Sequence, residues 1–107
     1  MKVLPVLFTG IAEEDLDQIE DYIAARDPAA AARVRSAIVR QSISLGKTPE
    51  KGMRLSEPWD NTEMGVRLWP VVRYPNYLIL YRIEPNQIRV LRVLHAAQDW
   101  TRFFEAP

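Results

Sequence analysis

The residues best suited to chemistry lie near the end of the chain, in segment 88–100, which reads IRVLRVLHAAQDW. His95 is the only histidine of the protein. A histidine acts as a general base when its pKa lies near the working pH and a proton donor is within reach. The segment holds no serine or threonine and the chain holds no cysteine, so His95 lacks a nucleophile and companion metal ligands. We therefore predict no catalytic residue, metal or cofactor, and expect His95 to end a strand and hydrogen-bond locally, with Asp99 as a candidate partner.

The composition is that of one soluble domain spanning residues 1–107. Hydrophobic residues make up 48% of the chain, and 14 basic residues balance 14 acidic ones. A net charge of zero argues against a strong sequence-independent attraction to nucleic acid. No run of about 20 apolar residues predicts a membrane span, and the first residues lack the pattern of a signal peptide. Together with the absence of cysteine, these features favour a cytoplasmic protein.

The charges are unevenly distributed along the chain. From Arg67 to Arg92 there are five arginines and a single acid, Glu84. The acids of the first helix are clustered instead, and we expect them to form a solvated face: Glu13, Glu14, Asp15, Asp17, Glu20 and Asp21.

The N-terminal half predicts a strand followed by two helices. Segment 3–8 is apolar and β-rich, and its Pro5 favours the edge of a sheet. Thr9 is a predicted N-cap for a helix that ends near residue 26, with one apolar face made by Ala12, Leu16, Ile19 and Ile23. Asp27 and Pro28 predict the start of a second helix ending at Gly46, so the pair should form an antiparallel hairpin.

The C-terminal half predicts a loop and three antiparallel strands. Segment 47–65 has two prolines and two glycines and no sustained period, so we interpret it as a loop. Strands are predicted at 66–72, 77–83 and 88–94, with turns at 74–76 and 84–87. Segment 99–107 predicts a short terminal helix.

A turn at Pro85 and Asn86 would set the pairing of the last two strands. It would place Ile83 opposite Ile88, Tyr81 opposite Val90, Ile79 opposite Arg92 and Tyr77 opposite Leu94. His95 would then face away from Tyr81 and Arg92. We expect the helices to cover the face with Leu78, Leu80, Leu91 and Val93, and the face with Tyr77, Tyr81 and Arg92 to be the partner surface.

The predicted fold is α+β, in the order β-α-α-β-β-β, with a helical hairpin packed on an antiparallel sheet. Four segments carry local motifs: AEEDLDQIEDYI (12–23), LGKTPEKGMR (45–54), YLILYRI (77–83) and IRVLRVLHAAQD (88–99). The order of elements resembles the RelE/ParE toxin superfamily of bacterial toxin–antitoxin systems, and these motifs resemble its ParE branch. Ala96 and Gln98 depart from the glycine and arginine that are common in that branch.

The resemblance implies a toxin that binds and inhibits DNA gyrase and that a ParD-type antitoxin neutralises in a hetero-oligomer, with DNA contacted only through those partners. The residues that we expect to contact gyrase are Arg92, His95, Gln98, Asp99, Trp100 and Arg102. The residues that we expect to contact the antitoxin are Leu16, Ile19, Ile23, Tyr77, Ile79, Tyr81, Val90 and Arg92.

Two alternatives remain open from the sequence. The ribonuclease branch, typified by RelE, cuts messenger RNA on the ribosome, and Tyr77, Tyr81, Arg92 and His95 offer comparable side chains. The other alternative is a non-toxic member that acts only in a repressor complex with its antitoxin.

Overall fold

A computed structural model describes residues 2–55 and 65–97 of the chain. Two helices pack on a five-stranded sheet of order β1-β5-β4-β3-β2. The elements are β1 (Val6–Phe8), α1 (Gly10–Ala24), α2 (Pro28–Ser44), a 3-10 turn (Pro49–Lys51), β2 (Met53–Arg54), β3 (Val66–Val71), β4 (Tyr74–Glu84) and β5 (Gln87–His95). The predicted α+β fold is confirmed. The predicted terminal helix lies outside the described residues, and no described helix is long and apolar enough to cross a membrane.

Both helices start where the sequence predicts. The Thr9 hydroxyl accepts a hydrogen bond from the backbone N–H of Ala12 at 3.0 Å and donates to the Leu91 carbonyl at 3.0 Å. The Asp27 carboxylate accepts from the backbone N–H of Ala30 at 3.1 Å, with Pro28 in the first helical position. Each cap satisfies a backbone donor that a helix leaves unpaired.

Two sheet features were not predicted. The edge strand β1 pairs with β5 in parallel, placing Val6 opposite Ile88, whereas every other described strand pair is antiparallel. The two-residue strand β2 lies within the predicted loop, with Met53 opposite Leu68. Its residues are exposed, so it carries no apolar alternation that would reveal it in the sequence.

Both faces of the sheet carry a buried apolar cluster. The helices pack on the face with Ile79, Tyr81 and Val90, each 0% exposed. The opposite face has its own buried cluster of Leu55, Val66, Leu68, Leu78, Leu80 and Leu94. The two-sided apolar sheet is thus present, but the predicted assignment of the faces is wrong: the helices cover the tyrosine face.

A β-bulge in β5 changes the register of the last hairpin. The predicted pairs of Ile83 with Ile88 and of Tyr81 with Val90 are correct. Leu80 then pairs with Arg92, which leaves Leu91 as an extra residue on β5. The predictions beyond it are therefore wrong by one residue: Ile79 pairs with Val93, not Arg92, and Tyr77 pairs with His95, not Leu94.

The turn between β3 and β4 is also displaced from its predicted position. It consists of Val72 and Arg73, and Tyr74 already pairs with Val71. The next pair joins Pro70 to Leu78, so residues 75–77 have no partner on β3. Segment 74–76, predicted as the turn, is this irregular start of β4.

Candidate functional site

A cleft of about 510 Å³ lies between α1 and the C-terminal end of β5. We call it the α1–β5 cleft. It is the described region where residues predicted to bind partners meet, and its lining is Asp15, Gln18, Ile19, Tyr22, Tyr77, Val93, His95 and Ala97.

His95 lies in this cleft because of the bulge in β5. Its ring meets the Tyr77 ring edge-on, with centroids 5.2 Å apart and planes at 88°. Its Nδ1 accepts a hydrogen bond from the backbone N–H of Ala97 at 3.0 Å. β5 ends at His95, so the predicted role of ending a strand and hydrogen-bonding locally is confirmed. The predicted separation of His95 from the tyrosine face is wrong.

Asp15, which lines the cleft, forms a partly buried ion pair with Arg92. The guanidinium donates from Nε to one carboxylate oxygen at 2.8 Å and from Nη2 to the other at 2.9 Å. The backbone N–H of Val93 also donates to Asp15, at 3.0 Å. The carboxylate is 8% exposed and the guanidinium side chain 21%. The pair therefore joins α1 to β5 with the bidentate geometry that makes arginine–carboxylate pairs strong.

The burial of Asp15 corrects the prediction of a fully solvated acidic face. The sequence indicates the burial of Asp15, because this residue lies between Ala12 and Leu16 on the apolar stripe of α1. An acid on such a stripe needs a buried cation or donor. Arg92 is three residues before His95, yet nothing in the spacing identifies it as that partner.

Tyr81 connects the segment before β2 to the sheet through two hydrogen bonds. Its hydroxyl donates to the Pro49 carbonyl at 2.7 Å and accepts from the backbone N–H of Gly52 at 2.8 Å. A Cβ on Gly52 would overlap this hydroxyl, so the position requires glycine. Burial raises the pKa of Tyr81, although the Gly52 N–H and the charge of Arg67 act in the opposite direction. Tyr81 is thus a neutral phenol with a structural role.

Tyr77 and Tyr22 give the cleft an aromatic character. Burial raises the pKa of Tyr77, and nearby Tyr22 adds to the shift, so Tyr77 stays protonated at neutral pH. Tyr22 is 71% exposed on α1. Within residues 2–55 and 65–97, no group of acids, histidines and cysteines could hold a metal ion. Exposed aromatic rings beside apolar side chains are typical of a protein-binding surface.

The structure separates the residues predicted to contact partners into three groups. Leu16, Ile79, Tyr81 and Val90 lie in the core, packed between helices and sheet, so they offer no surface to an antitoxin in this fold. Partly exposed positions at or near the α1–β5 cleft are Ile19, Ile23, Tyr77, Arg92 and His95. Gln98, Asp99, Trp100 and Arg102 lie outside the described residues.

Comparison with known families identifies the class of this fold. A model of the "ParE toxin of type II toxin-antitoxin system, parDE" matches residues 6–100. The chain belongs to this family of toxins, within the RelE/ParE superfamily.

Individual relatives support this membership. The chain is 32% identical over 93 residues to Toxin RelE2 of Caulobacter vibrioides, covering 87% of this chain and 96% of that protein. It is similar to a solved structure of a chromosomal ParDE toxin–antitoxin system from P. aeruginosa, with a TM-score of 0.69, 26% identity and coverage of 87% and 96%. It is also similar to the RelBE2 toxin–antitoxin complex from Mycobacterium tuberculosis, with a TM-score of 0.64, 25% identity and coverage of 92% and 97%.

Proposed function

We propose that this chain is a cytoplasmic toxin that inhibits DNA gyrase by binding it, and that a ParD-type antitoxin neutralises it. The match to the ParE family over residues 6–100 supports this reading. The observation that carries it is the use of Arg92 and Tyr81 inside the fold. A nuclease would need such side chains at a phosphodiester. Arg92 instead holds a buried carboxylate, and both hydrogen bonds of the Tyr81 hydroxyl go to backbone.

In this proposal the α1–β5 cleft is the described part of the gyrase contact. Tyr22 and His95 form its rim, and the predicted contacts Gln98, Asp99, Trp100 and Arg102 follow along the chain. Large aromatic side chains carry much of the binding energy of protein interfaces. We therefore expect the rim residue Tyr22 to contribute directly to target affinity.

The antitoxin is proposed to pack along the partly exposed flank of α1. Ile11 is 53% exposed there, and Ile19 and Ile23 lie further along the same helix, half-buried. An amphipathic partner helix binds such a flank through apolar side chains spaced three or four residues apart. The similar structures from P. aeruginosa and M. tuberculosis are both toxin–antitoxin assemblies, which supports a partner of this kind.

A gyrase supercoiling assay with the full chain tests the proposal. Increasing toxin should reduce supercoiling of relaxed plasmid and accumulate cleaved plasmid, and the cognate antitoxin should restore activity. Tyr22→Ala should need about tenfold more toxin for the same inhibition, as expected for the loss of an interface aromatic. Ile43→Ala, which removes a 55% exposed apolar side chain from α2, should leave inhibition unchanged. Full supercoiling at excess toxin, without cleaved DNA, would contradict the proposal.

A ribosome-dependent ribonuclease is the second candidate, and the contact between Tyr77 and His95 favours it. A phenol and an imidazole placed together can move protons. The similarity to a protein named Toxin RelE2 points the same way. This function predicts cleaved transcripts in cells that express the chain, and loss of cleavage in Tyr77→Phe and His95→Gln. Intact transcripts during growth arrest would remove this candidate.

A further inference from the structure

A second groove, of about 680 Å³, lies between the middle of α2 and the turn after β3. Three exposed arginines line it: Arg33 and Arg40 from α2, and Arg73 from the turn. The exposed hydroxyl of Ser36 lies between the two helical arginines. We call this the arginine groove, and no role proposed above uses it.

Among residues 2–55 and 65–97, the three arginines have no partner, which distinguishes them from their neighbour Arg35. Arg35 donates to Asp17 at 2.9 Å and to Glu20 at 3.0 Å, both on α1. Arg33 and Arg40 are seven residues apart, so they lie within about 20° of each other on the helix and almost opposite Arg35. In the part of the chain that the structure describes, the side chains of Arg33, Arg40 and Arg73 make no hydrogen bond or ion pair. Their charges are therefore available to a ligand.

The position of Arg73 is fixed by the fold. The Gln41 amide donates to the Val72 carbonyl at 2.9 Å, and its oxygen accepts from the Val72 N–H at 2.7 Å. The next residue, Arg73, has a φ of +77°, a left-handed conformation that is uncommon for a residue with a side chain. The two hydrogen bonds hold the turn against α2, so the third arginine is presented beside the other two. This arrangement is a preformed cationic surface.

The chemistry of the groove favours duplex DNA over an acidic protein or a single strand. Its exposed apolar lining is small, because Ala32 and Ala37 contribute only methyl groups and Val72 is a single branched side chain, whereas helical peptides bind in grooves through several large apolar anchors. The Tyr74 ring packs against the core, so it is not a free platform for stacking bases. Arg33 and Arg40 are separated by an axial rise of about 10.5 Å, close to the roughly 12 Å width of a DNA major groove. Backbone phosphates remain the best match.

We propose that Arg33, Arg40 and Arg73 bind the phosphate backbone of duplex DNA, with the Ser36 hydroxyl as an additional donor. This departs from the expectation that DNA is contacted only through other proteins. Zero net charge does not oppose it, because neutralisation of phosphates is local and depends on the cations at the contact. The proposal that the chain meets DNA in the cell at gyrase rests on the proposed function, because gyrase is a DNA-bound enzyme. The binding of the chain to DNA does not itself require gyrase.

Fluorescence anisotropy of the full chain with a labelled 20-base-pair duplex tests this inference without gyrase. Each phosphate contact contributes about 0.9 to the slope of log affinity against log salt. The variant R33Q/R40Q/R73N should therefore lower the magnitude of that slope by about 2.7. When the salt is reduced from 200 mM to 50 mM, the affinity of the wild type should rise roughly 40-fold more than that of the variant. The matched control K2A/R26A/K47A removes three exposed cations that do not line the groove, and its slope should change by less than about 1.

Two further samples keep the test decisive. R33K/R40K/R73K retains the charges and should keep most of the affinity for DNA. If the guanidinium groups had only a structural role, this variant would lose that affinity. Labelled polyglutamate serves as the acidic-protein probe. The proposal is overturned if the wild-type chain does not bind the duplex, if the two neutralised variants lose affinity equally, or if polyglutamate binds in place of DNA. Matching circular dichroism spectra of all variants exclude unfolding as the cause.

Discussion

The arginines that the structure describes include two groups that the sequence does not distinguish. Arg92 and Arg67 are bound within the fold: the first to Asp15, the second by donating from Nη1 to the Gly52 carbonyl at 2.9 Å. Arg33 and Arg40 are exposed and have no described partner. A bound guanidinium joins elements of the fold, whereas an unbound one keeps its charge for a ligand. Function should therefore be sought where the fold leaves charges unpaired.

The largest expected effect is the loss of the Asp15–Arg92 pair. Asp15→Ala leaves a guanidinium without its buried carboxylate, and the Val93 N–H without its acceptor. Removing one partner of a buried ion pair costs about 3–5 kcal/mol, and since Arg92 is partly exposed we expect about 3 kcal/mol. Denaturant unfolding measures this change, with Arg33→Ala as the control expected to stay within about 0.5 kcal/mol. Equal losses in both variants would remove the distinction between the two groups.

The next largest effect is expected from the loss of the Tyr81 hydroxyl, which hydrogen-bonds the segment before β2. Tyr81→Phe removes the donor to Pro49 and leaves the Gly52 N–H without its acceptor, in a buried position. An unsatisfied buried donor costs about 1–3 kcal/mol, so we expect a loss of about 2 kcal/mol in the free energy of unfolding. Hydrogen exchange of the Gly52 amide should accelerate. Tyr22→Phe is the control, because its ring is 71% exposed, and a similar loss there would contradict the structural role of Tyr81.

A smaller effect is expected at the turn that carries Arg73. Gln41→Ala removes two hydrogen bonds to Val72 and allows the left-handed residue to relax. Because these bonds are exposed, we expect a loss of about 1 kcal/mol, with faster exchange of the Val72 amide. Gln18→Ala on α1 is the matched exposed control. An unchanged Val72 exchange rate would mean that Gln41 does not hold the arginine groove in shape.

The smallest effect is the pH dependence of the β4–β5 hairpin. Hydrogen bonds from Arg89, Gln87 and Arg82 lower the pKa of Glu84 from 4.5 to about 2. A lowered folded-state pKa means that the ionised carboxylate adds stability above about pH 4.5, and that this contribution is lost as the pH falls towards 2. The difference in Tm between wild type and Glu84→Gln should therefore shrink over that range. An ordinary carboxyl pKa in an NMR titration of Glu84 would show that these hydrogen bonds do not stabilise its ionised form.

Local signals in the sequence were sufficient for much of the fold. Thr9 and Asp27 cap helices because a side-chain oxygen satisfies backbone donors nearby, an interaction that depends only on residues three positions away. The order of helices and strands follows from periodicity in the same way. The family motif LGKTPEKGMR also gains a physical reason, since Pro49 and Gly52 both hydrogen-bond the Tyr81 hydroxyl.

Long-range features could not be predicted in this way. One extra residue at Leu91 reverses the face on which every later residue of β5 lies, and nothing in IRVLRVLH indicates it. That single shift moved His95 beside Tyr77. The partnership of Asp15 with Arg92 spans 77 positions and depends on how α1 crosses the sheet. The candidate site was therefore predicted by residue type, but its geometry was not.

In the described part of the chain, Arg92 is bound to Asp15, whereas Arg33, Arg40 and Arg73 have no partner. Hydrogen exchange of the arginine Nε–H groups, resolved by NMR, tests this difference most directly. We expect the Arg92 Nε–H, which donates to Asp15 at 2.8 Å, to exchange at least tenfold more slowly than those of Arg33, Arg40 and Arg73. Exchange of Arg92 at the same rate as these three would contradict the division on which the proposed binding sites depend.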